Sequence, residues 1–141
     1  MGKPLRVLIV EDSEDDALLV IREVERGGYE TTFERVETAE AMTAALEKQA
    51  WDIIITDYKM PHFSAPEALD LFKETGLDLP FIVVSGTIGE ETAVATMKAG
   101  AHDYLMKGNL TRLVPAIERE LHEAEVRKGR KLAQEALQIA E

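Results

Sequence analysis

The chain contains no cysteine, which removes disulfide frameworks and thiolate metal sites and leaves nothing that asks for an oxidising compartment. No apolar stretch approaches the roughly 20 residues that a bilayer-spanning helix needs, and the first residues lack the apolar core of a signal peptide. Positive charge is scarce: 16 Lys and Arg stand against 27 Asp and Glu, a net charge of -11. A surface so short of cations does not grip nucleic acid, so any DNA-binding module is expected outside these residues. A glycine-rich phosphate loop is also missing after Val10, where Glu11 and Asp12 stand instead. Acids there repel a phosphate unless a metal intervenes, which counts against a flavin or nucleotide binder. The expectation is a cytoplasmic domain that contacts neither membrane nor nucleic acid directly.

What is present suits one core. With 141 residues and 45% hydrophobic content, the chain can bury a single interior but would be stretched to build two. Strand-like and helix-like patterns alternate five times along it, the arrangement of βα units around a parallel sheet. The strands are predicted at 5–10, 31–36, 52–56, 80–84 and 102–105. Most are short runs of Val, Ile and Leu, as strands covered on both faces should be. Thr31-Thr-Phe-Glu-Arg-Val36 is more polar, which an edge position explains.

The punctuation agrees with the periodicity. Ser13-Glu-Asp-Asp16, Ser64-Ala-Pro-Glu67 and Thr87-Ile-Gly-Glu90 each offer a hydroxyl cap with an acid three residues on, and Asn109 can cap the last helix. Gly27-Gly28, Gly76 and Gly100 sit where helices one, three and four should stop. Helical spacing turns Ala17, Leu18, Val20, Ile21 and Val24 inward on the first helix, Ala68, Leu69 and Phe72 on the third, and Ala93, Val94 and Met97 on the fourth. The last helix is predicted from Leu110 to about residue 140, near 45 Å in length, when half of that would cover the sheet. Its stripe of Leu110, Leu113, Val114, Ile117 and Leu121 is fit to dock. Beyond Ala124 the pattern thins into Glu125-Val-Arg-Lys-Gly-Arg-Lys131 and a weak stripe of Leu132, Ala133, Ala136, Leu137 and Ala140. The division is a domain over 1–124 and a helical extension or connector over 125–141, able to pair with a partner helix.

The chemistry sits at the strand ends. Trp51-Asp-Ile-Ile-Ile-Thr-Asp57 ends in a lone carboxylate, Leu5-Arg-Val-Leu-Ile-Val10 leads into Glu11-Asp12, Phe81-Ile-Val-Val84 into Ser85, and His102-Asp-Tyr-Leu-Met106 into Lys107. If the strands are parallel, these ends converge on one crevice, where open α/β sheets place their ligands. Carboxylates, a hydroxyl and an ammonium together suit a divalent cation and a phosphoryl group, with a carboxylate as nucleophile. Each residue has an ordinary reading alone: Asp12 beside a cap, Asp57 before a turn at Pro61, Ser85 before Gly86, Lys107 as a solvated charge. Four suitable types at four strand ends favour the joint reading.

On those residues the chain resembles the receiver domain of two-component response regulators over about 5–122. The resemblance implies a flavodoxin-like, doubly wound, five-stranded parallel sheet of order 2-1-3-4-5 with five helices. It assigns the acidic pair to Glu11 and Asp12, the phospho-accepting aspartate to Asp57, the switch hydroxyl to Ser85, the lysine to Lys107 and a switch aromatic to Tyr104. It also implies Mg2+ held by Asp12, Asp57 and the Lys59 carbonyl, with Glu11 acting through water. A phosphoryl group would come from a histidine kinase, a phosphotransfer protein or a small phosphodonor. Tyr104 would then swing inward and change the face made by the fourth helix, fifth strand and fifth helix. The domain would be no enzyme beyond its own phosphorylation and dephosphorylation. Ser85-Gly-Thr-Ile-Gly-Glu-Glu91 and Asp103-Tyr-Leu-Met-Lys-Gly-Asn-Leu110 are similar to receivers at the N-terminal ends of multidomain hybrid sensor proteins. The chain is therefore expected to be a fragment or a stand-alone receiver, with an output domain in the same or another chain and a homodimer through the last helix as a further expectation.

One departure concerns Gly108, where the family has proline after a cis peptide. A cis bond before a non-proline residue costs about 2.5–4 kcal/mol. The loop is expected either to take another route with a trans bond or to hold a strained cis one. Rival readings are a degenerate receiver serving as an interaction module and a magnesium-dependent phosphatase of haloacid dehalogenase type. The phosphatase needs an acid two residues after its nucleophile, and position 59 is lysine. Histidine carries no predicted function: His122-Glu123 lacks the continuation of a kinase phospho-acceptor, His62 is read as solvated, and His102 has no evident metal partner.

Overall fold

The computed structural model describes residues 2–86 and 89–140, with side chains through Gln138. Strands β1 (Lys3–Val10), β2 (Tyr29–Val36), β3 (Ile53–Asp57), β4 (Phe81–Ser85) and β5 (Asp103–Met106) alternate with helices α1 (Glu14–Arg26), α2 (Ala39–Lys48), α3 (Ala65–Glu74), α4 (Glu90–Ala99) and α5 (Leu113–Ala140). All strand pairs are parallel and the sheet order is β2-β1-β3-β4-β5. This is the expected flavodoxin-like fold, and the polar β2 lies at an edge as its composition predicts.

Alternation along the inner strands feeds two cores. Leu8, Val10 and Ile54 face a layer with Met42 and Ala45 of α2 and Leu69 and Phe72 of α3. Val7, Ile9, Ile53 and Ile55 face the other layer, with Val20, Ile21 and Val24 of α1 and Leu113 and Ile117 of α5. β3 and β4 are buried along their whole lengths. They therefore form the rigid floor from which Asp57 and Ser85 project.

Two helix starts follow the sequence. Ser13 Oγ accepts from the Asp16 N–H at 3.2 Å, and Ser64 and Glu67 form a reciprocal capping box. The other two differ. α4 starts after Gly89 with no side-chain cap bond, and the expected cap Thr87 lies outside the described residues. Asn109 precedes a 3-10 turn over Leu110–Arg112, and its Oδ1 accepts from the Thr111 hydroxyl at 2.6 Å instead of capping the backbone.

The inward face of α4 also needs correction. Val94 and Met97 are 52% and 41% exposed, while Thr96 is buried and its hydroxyl returns to the Thr92 carbonyl at 2.8 Å. α4 packs beside β5, the second edge strand, so only a narrow face of small side chains is covered. Ala93 is half-buried there. α5 runs unbroken through Gly129 to Ala140. It starts at Leu113, so Leu110 of the predicted helix lies in the 3-10 turn before it; Leu113, Val114, Ile117 and Leu121 of the predicted stripe are on its docked part, while every side chain from Lys128 to Gln138 is exposed. Arg127 ties the departing helix to the sheet end through an ion pair with Asp78 at 3.0 Å.

Candidate functional site

Parallel order brings the C-terminal ends of β1, β3, β4 and β5 to one side of the molecule. Glu11 leaves β1 with its backbone held twice: its N–H donates to the Val36 carbonyl at 2.9 Å, and its carbonyl accepts from Arg35 Nη1 at 3.1 Å. The side chain, 2% exposed, turns inward and accepts from the Ser13 N–H at 3.1 Å. Asp57 closes β3 and is 6% exposed. Its strand continues past it because the Tyr58 N–H donates to the Val84 carbonyl at 3.0 Å. Beyond it, buried Met60 and Phe63 anchor the loop that leads to α3.

Lys107 joins these groups. Its N–H donates to the Ser85 carbonyl at 2.8 Å, which carries the β4–β5 ladder one residue past the strand. Its Nζ lies 3.0 Å from Glu11 Oε2, 2.8 Å from Asp16 Oδ2 and 3.3 Å from Asp57 Oδ2. The Lys107–Gly108 peptide is trans, so of the two expected routes the loop takes the trans one. The ladder bond, not a cis turn, aims the lysine into the site.

Of the residues predicted from sequence, the structure brings Glu11, Asp12, Asp57, Ser85 and Lys107 together. Oxygens of Glu11, Asp12 and Asp57 lie within 4.8 Å of one another, with Glu11 and Asp57 buried and Asp12 exposed. Lys59 lies two residues past Asp57 with an exposed side chain. Ser85 is buried. Tyr104 already points inward: its hydroxyl is buried and its ring packs against Tyr58 with centroids 5.9 Å apart. Ser85 is close enough to favour the Tyr104 phenolate, but the tyrosine hydroxyl has no partner in hydrogen-bonding geometry among the described residues. His62 is exposed.

The electrostatics follow from crowding acids around one ammonium. Burial pushes the Glu11 carboxyl up to about 7; the Lys107 hydrogen bond and the Ser13 N–H oppose that, and the Asp57 charge adds to it. Burial works against the Lys107 charge, but hydrogen bonds to Asp16 and Glu11 and the charge of Asp57 outweigh it and raise the ammonium above its usual range. Burial also raises the Tyr104 hydroxyl. With one ammonium and hard carboxylate oxygens, the site has the donor chemistry of a Mg2+-class cation.

Sequence reasoning missed two members of the site. The capping pattern gives Asp16 only the place of the acid three residues after Ser13, yet its carboxylate reaches Lys107. Arg35 braces the Glu11 carbonyl from the edge strand. Asp16 and Lys107 are 91 residues apart, so no local pattern in the sequence pairs them.

The comparisons with known proteins agree with this geometry. The family model for the response regulator receiver domain matches residues 7–118. The response regulator protein FleR of Pseudomonas aeruginosa is 32% identical over 108 residues, which span 72% of this chain and 21% of FleR. The transcriptional regulatory protein PrrA of Mycobacterium bovis is 34% identical over 102 residues, spanning 72% of this chain and 43% of PrrA. The chain thus matches less than half the length of either relative. The signal receiver domain of a candidate Luxo repressor protein from Vibrio parahaemolyticus superposes with a TM-score of 0.76 at 29% identity, covering 89% of this chain and 95% of that domain. No helix among the described residues is long and apolar enough to cross a membrane. The match runs from β1 into α5 and takes in every strand end that builds the acidic cluster, and the chain belongs to the response regulator receiver domain family.

Proposed function

We propose that Asp57 is a phosphoryl acceptor and that the domain relays its phosphorylation state to an output partner. The observation that carries this reading is the buried Asp57 carboxylate, 3.3 Å from Lys107 Nζ and clustered with Glu11 and Asp12. An Asp57 oxygen attacks the phosphorus of a phosphohistidine or a small acyl phosphate. The new P–O bond forms as the P–N or P–O bond to the donor breaks, and the donor leaves as imidazole or carboxylate. Lys107 meets the transferred oxygens, and positioning with charge neutralisation supplies most of the rate, as loose phosphoryl transfer requires.

The donor set fits Mg2+: Asp12 and Asp57 as direct ligands, the Lys59 carbonyl as a third, and Glu11 through water. A bound Mg2+ supplies neutralisation of the negative charge that would otherwise repel the incoming phosphoryl group. The chain's own residues do the rest. Ser85 offers its hydroxyl to a phosphoryl oxygen, and Tyr104, beside it, favours the packed position against Tyr58. That bias reaches the face of α4, β5 and α5, where Val94, Met97 and Met106 are exposed, and a two-state shift of this face is the signal.

The partners are a histidine kinase or phosphotransfer protein and an output domain in this or another chain, all in the cytoplasm. Residues 1–124 act as the receiver and 125–141 as the connector, with a homodimer through α5 as one way of coupling. The test is intact-protein mass after incubation with Mg2+ and acetyl phosphate. One base-labile phosphoryl group on the native chain and none on Asp57→Asn is the expected result. A native chain that gains nothing while binding no Mg2+ overturns the reading in favour of an interaction module.

A further inference from the structure

Three carboxylates share the Lys107 ammonium, and they do not share it equally. The ammonium has three N–H donors. Its contacts are 2.8 Å to Asp16, 3.0 Å to Glu11 and 3.3 Å to Asp57. Charge-assisted bonds of full strength fall near 2.7–2.9 Å, so the ammonium bonds most closely to Asp16 and more loosely to Asp57. Asp16 is held in place for this: its N–H is fixed on Ser13 Oγ, and α1 is anchored beneath it by buried Ala17, Val20 and Ile21.

A phosphoryl group arriving at Asp57 must take a place on the ammonium from one of these partners. Glu11 is 2% exposed and cannot turn to water, so losing the ammonium there leaves it unpaired or forces it to take up a proton. Asp16, with a side chain 40% exposed, can turn to water. Asp16 is therefore the partner that gives way.

We propose that Asp16 is a positioning residue that draws Lys107 closer to itself than to Asp57 in the resting site, so that phosphoryl uptake requires Lys107 to exchange Asp16 for a phosphoryl oxygen. This rests on the reading of Asp57 as the acceptor. Asp16 competes with the incoming phosphoryl group for the ammonium and touches no reacting atom. Its removal acts on the apparent affinity for donor rather than on the maximal rate.

The test compares native chain, Asp16→Asn and Asp15→Asn, in Mg2+, by initial rate of phosphorylation against acetyl phosphate concentration. Asp15 is exposed and makes no ion pair with Lys107, so it controls for the loss of one negative charge. In Asp16→Asn the half-maximal donor concentration is expected to fall about threefold, the scale of a partly exposed ion pair, with the maximal rate little changed. Asp15→Asn is expected to leave both unchanged. A second readout needs no phosphoryl transfer: the 1H–15N signal of the Lys107 ammonium, visible while its protons are held in hydrogen bonds, should weaken in Asp16→Asn alone. Equal effects of the two variants on donor concentration overturn the proposal, as does an ammonium signal indifferent to Asp16→Asn. A native chain that takes no phosphoryl group, while Asp16→Asn still weakens the signal, removes the reading of Asp57 and upholds the hold of Asp16 on Lys107.

Discussion

Protonation of His102 is expected to loosen the start of the β4–β5 pair, at the end of the sheet opposite Asp57. The Phe81 N–H donates to His102 Nδ1 at 2.9 Å, and the His102 N–H donates to the Phe81 carbonyl at 2.8 Å. The ring can accept only with a free lone pair on Nδ1, which fixes the neutral imidazole with its proton on Nε2. Burial lowers the His102 pKa from 6.5, the Arg127 charge lowers it further, and Glu120, Asp78 and Glu123 pull the other way. The folded value thus lies below the unfolded one, and between the two the unfolded chain binds more protons. Stability rises with pH in that window. The contribution is complete above 6.5 and is lost as the pH falls through the folded value.

The magnitude comes from the amide that would be stranded. Phe81 is fully buried, and a buried N–H without a partner costs about 1–3 kcal/mol. The assay is urea unfolding between about pH 5 and 8, followed by the fluorescence of Trp51, the sole tryptophan and a buried one. His102→Asn places an amide oxygen where Nδ1 stands and does not titrate. His102→Ala strands the Phe81 N–H at every pH. Native and Asn variants should match in the neutral range and separate in acid, with the native chain losing stability. The Ala variant should lie about 2 kcal/mol below the Asn variant throughout. Parallel native and Asn profiles, or an Ala variant as stable as the Asn one, would refute the reasoning.

Three further substitutions test packing and backbone, each by the same unfolding assay. Thr56 Oγ1 is buried beside Asp57 with no partner among the described residues, so Thr56→Val should raise stability by about 1 kcal/mol. A Cβ on Gly27 would stand 2.5 Å from Val114 Cγ2; Gly27→Ala should cost about 1–3 kcal/mol, and Val114→Ala in the same chain should recover much of it. Gly108 has open space around a Cβ and no positive φ, so Gly108→Ala should stabilise by about 0.4–1 kcal/mol through the unfolded chain. That variant should phosphorylate like the native chain, because the Lys107 N–H bond to Ser85 aims the lysine.

The fold was legible wherever burial is two-sided or punctuation is local. β3 and β4 face a helix layer on each side and so read as unbroken Val and Ile, and β2, with one side in water, does not. Ser13 and Ser64 cap within three residues of themselves, a range over which composition is informative. α4 was legible as a helix but not in its rotation. Its residues Glu90-Glu-Thr-Ala-Val-Ala-Thr-Met-Lys-Ala99 are small and evenly mixed, and the half-covered edge beneath it exerts little pull on Val94 or Met97. Apolar spacing turns Val94 and Met97 inward wrongly because hydrophobic demand there is weak and Thr96 meets its own hydroxyl's need inside the helix.

The site divides along the same line. That Glu11, Asp12, Asp57, Ser85 and Lys107 meet is a consequence of parallel order, which puts every strand's C-terminal end on one side whatever the loops do. Which carboxylate takes the ammonium is decided at a finer scale, by half an ångström among three candidates, and by partners 91 residues apart in the case of Asp16 and Lys107. No local pattern encodes that choice. It arises from two separate requirements: a buried Glu11 that must keep its cation, and a capped α1 that delivers Asp16 over it. His102 and Phe81 repeat the point 21 residues apart, where a histidine that looked idle in the sequence completes a strand ladder. Polar groups whose role is to satisfy a distant buried partner are invisible to periodicity, because the demand they answer belongs to another strand.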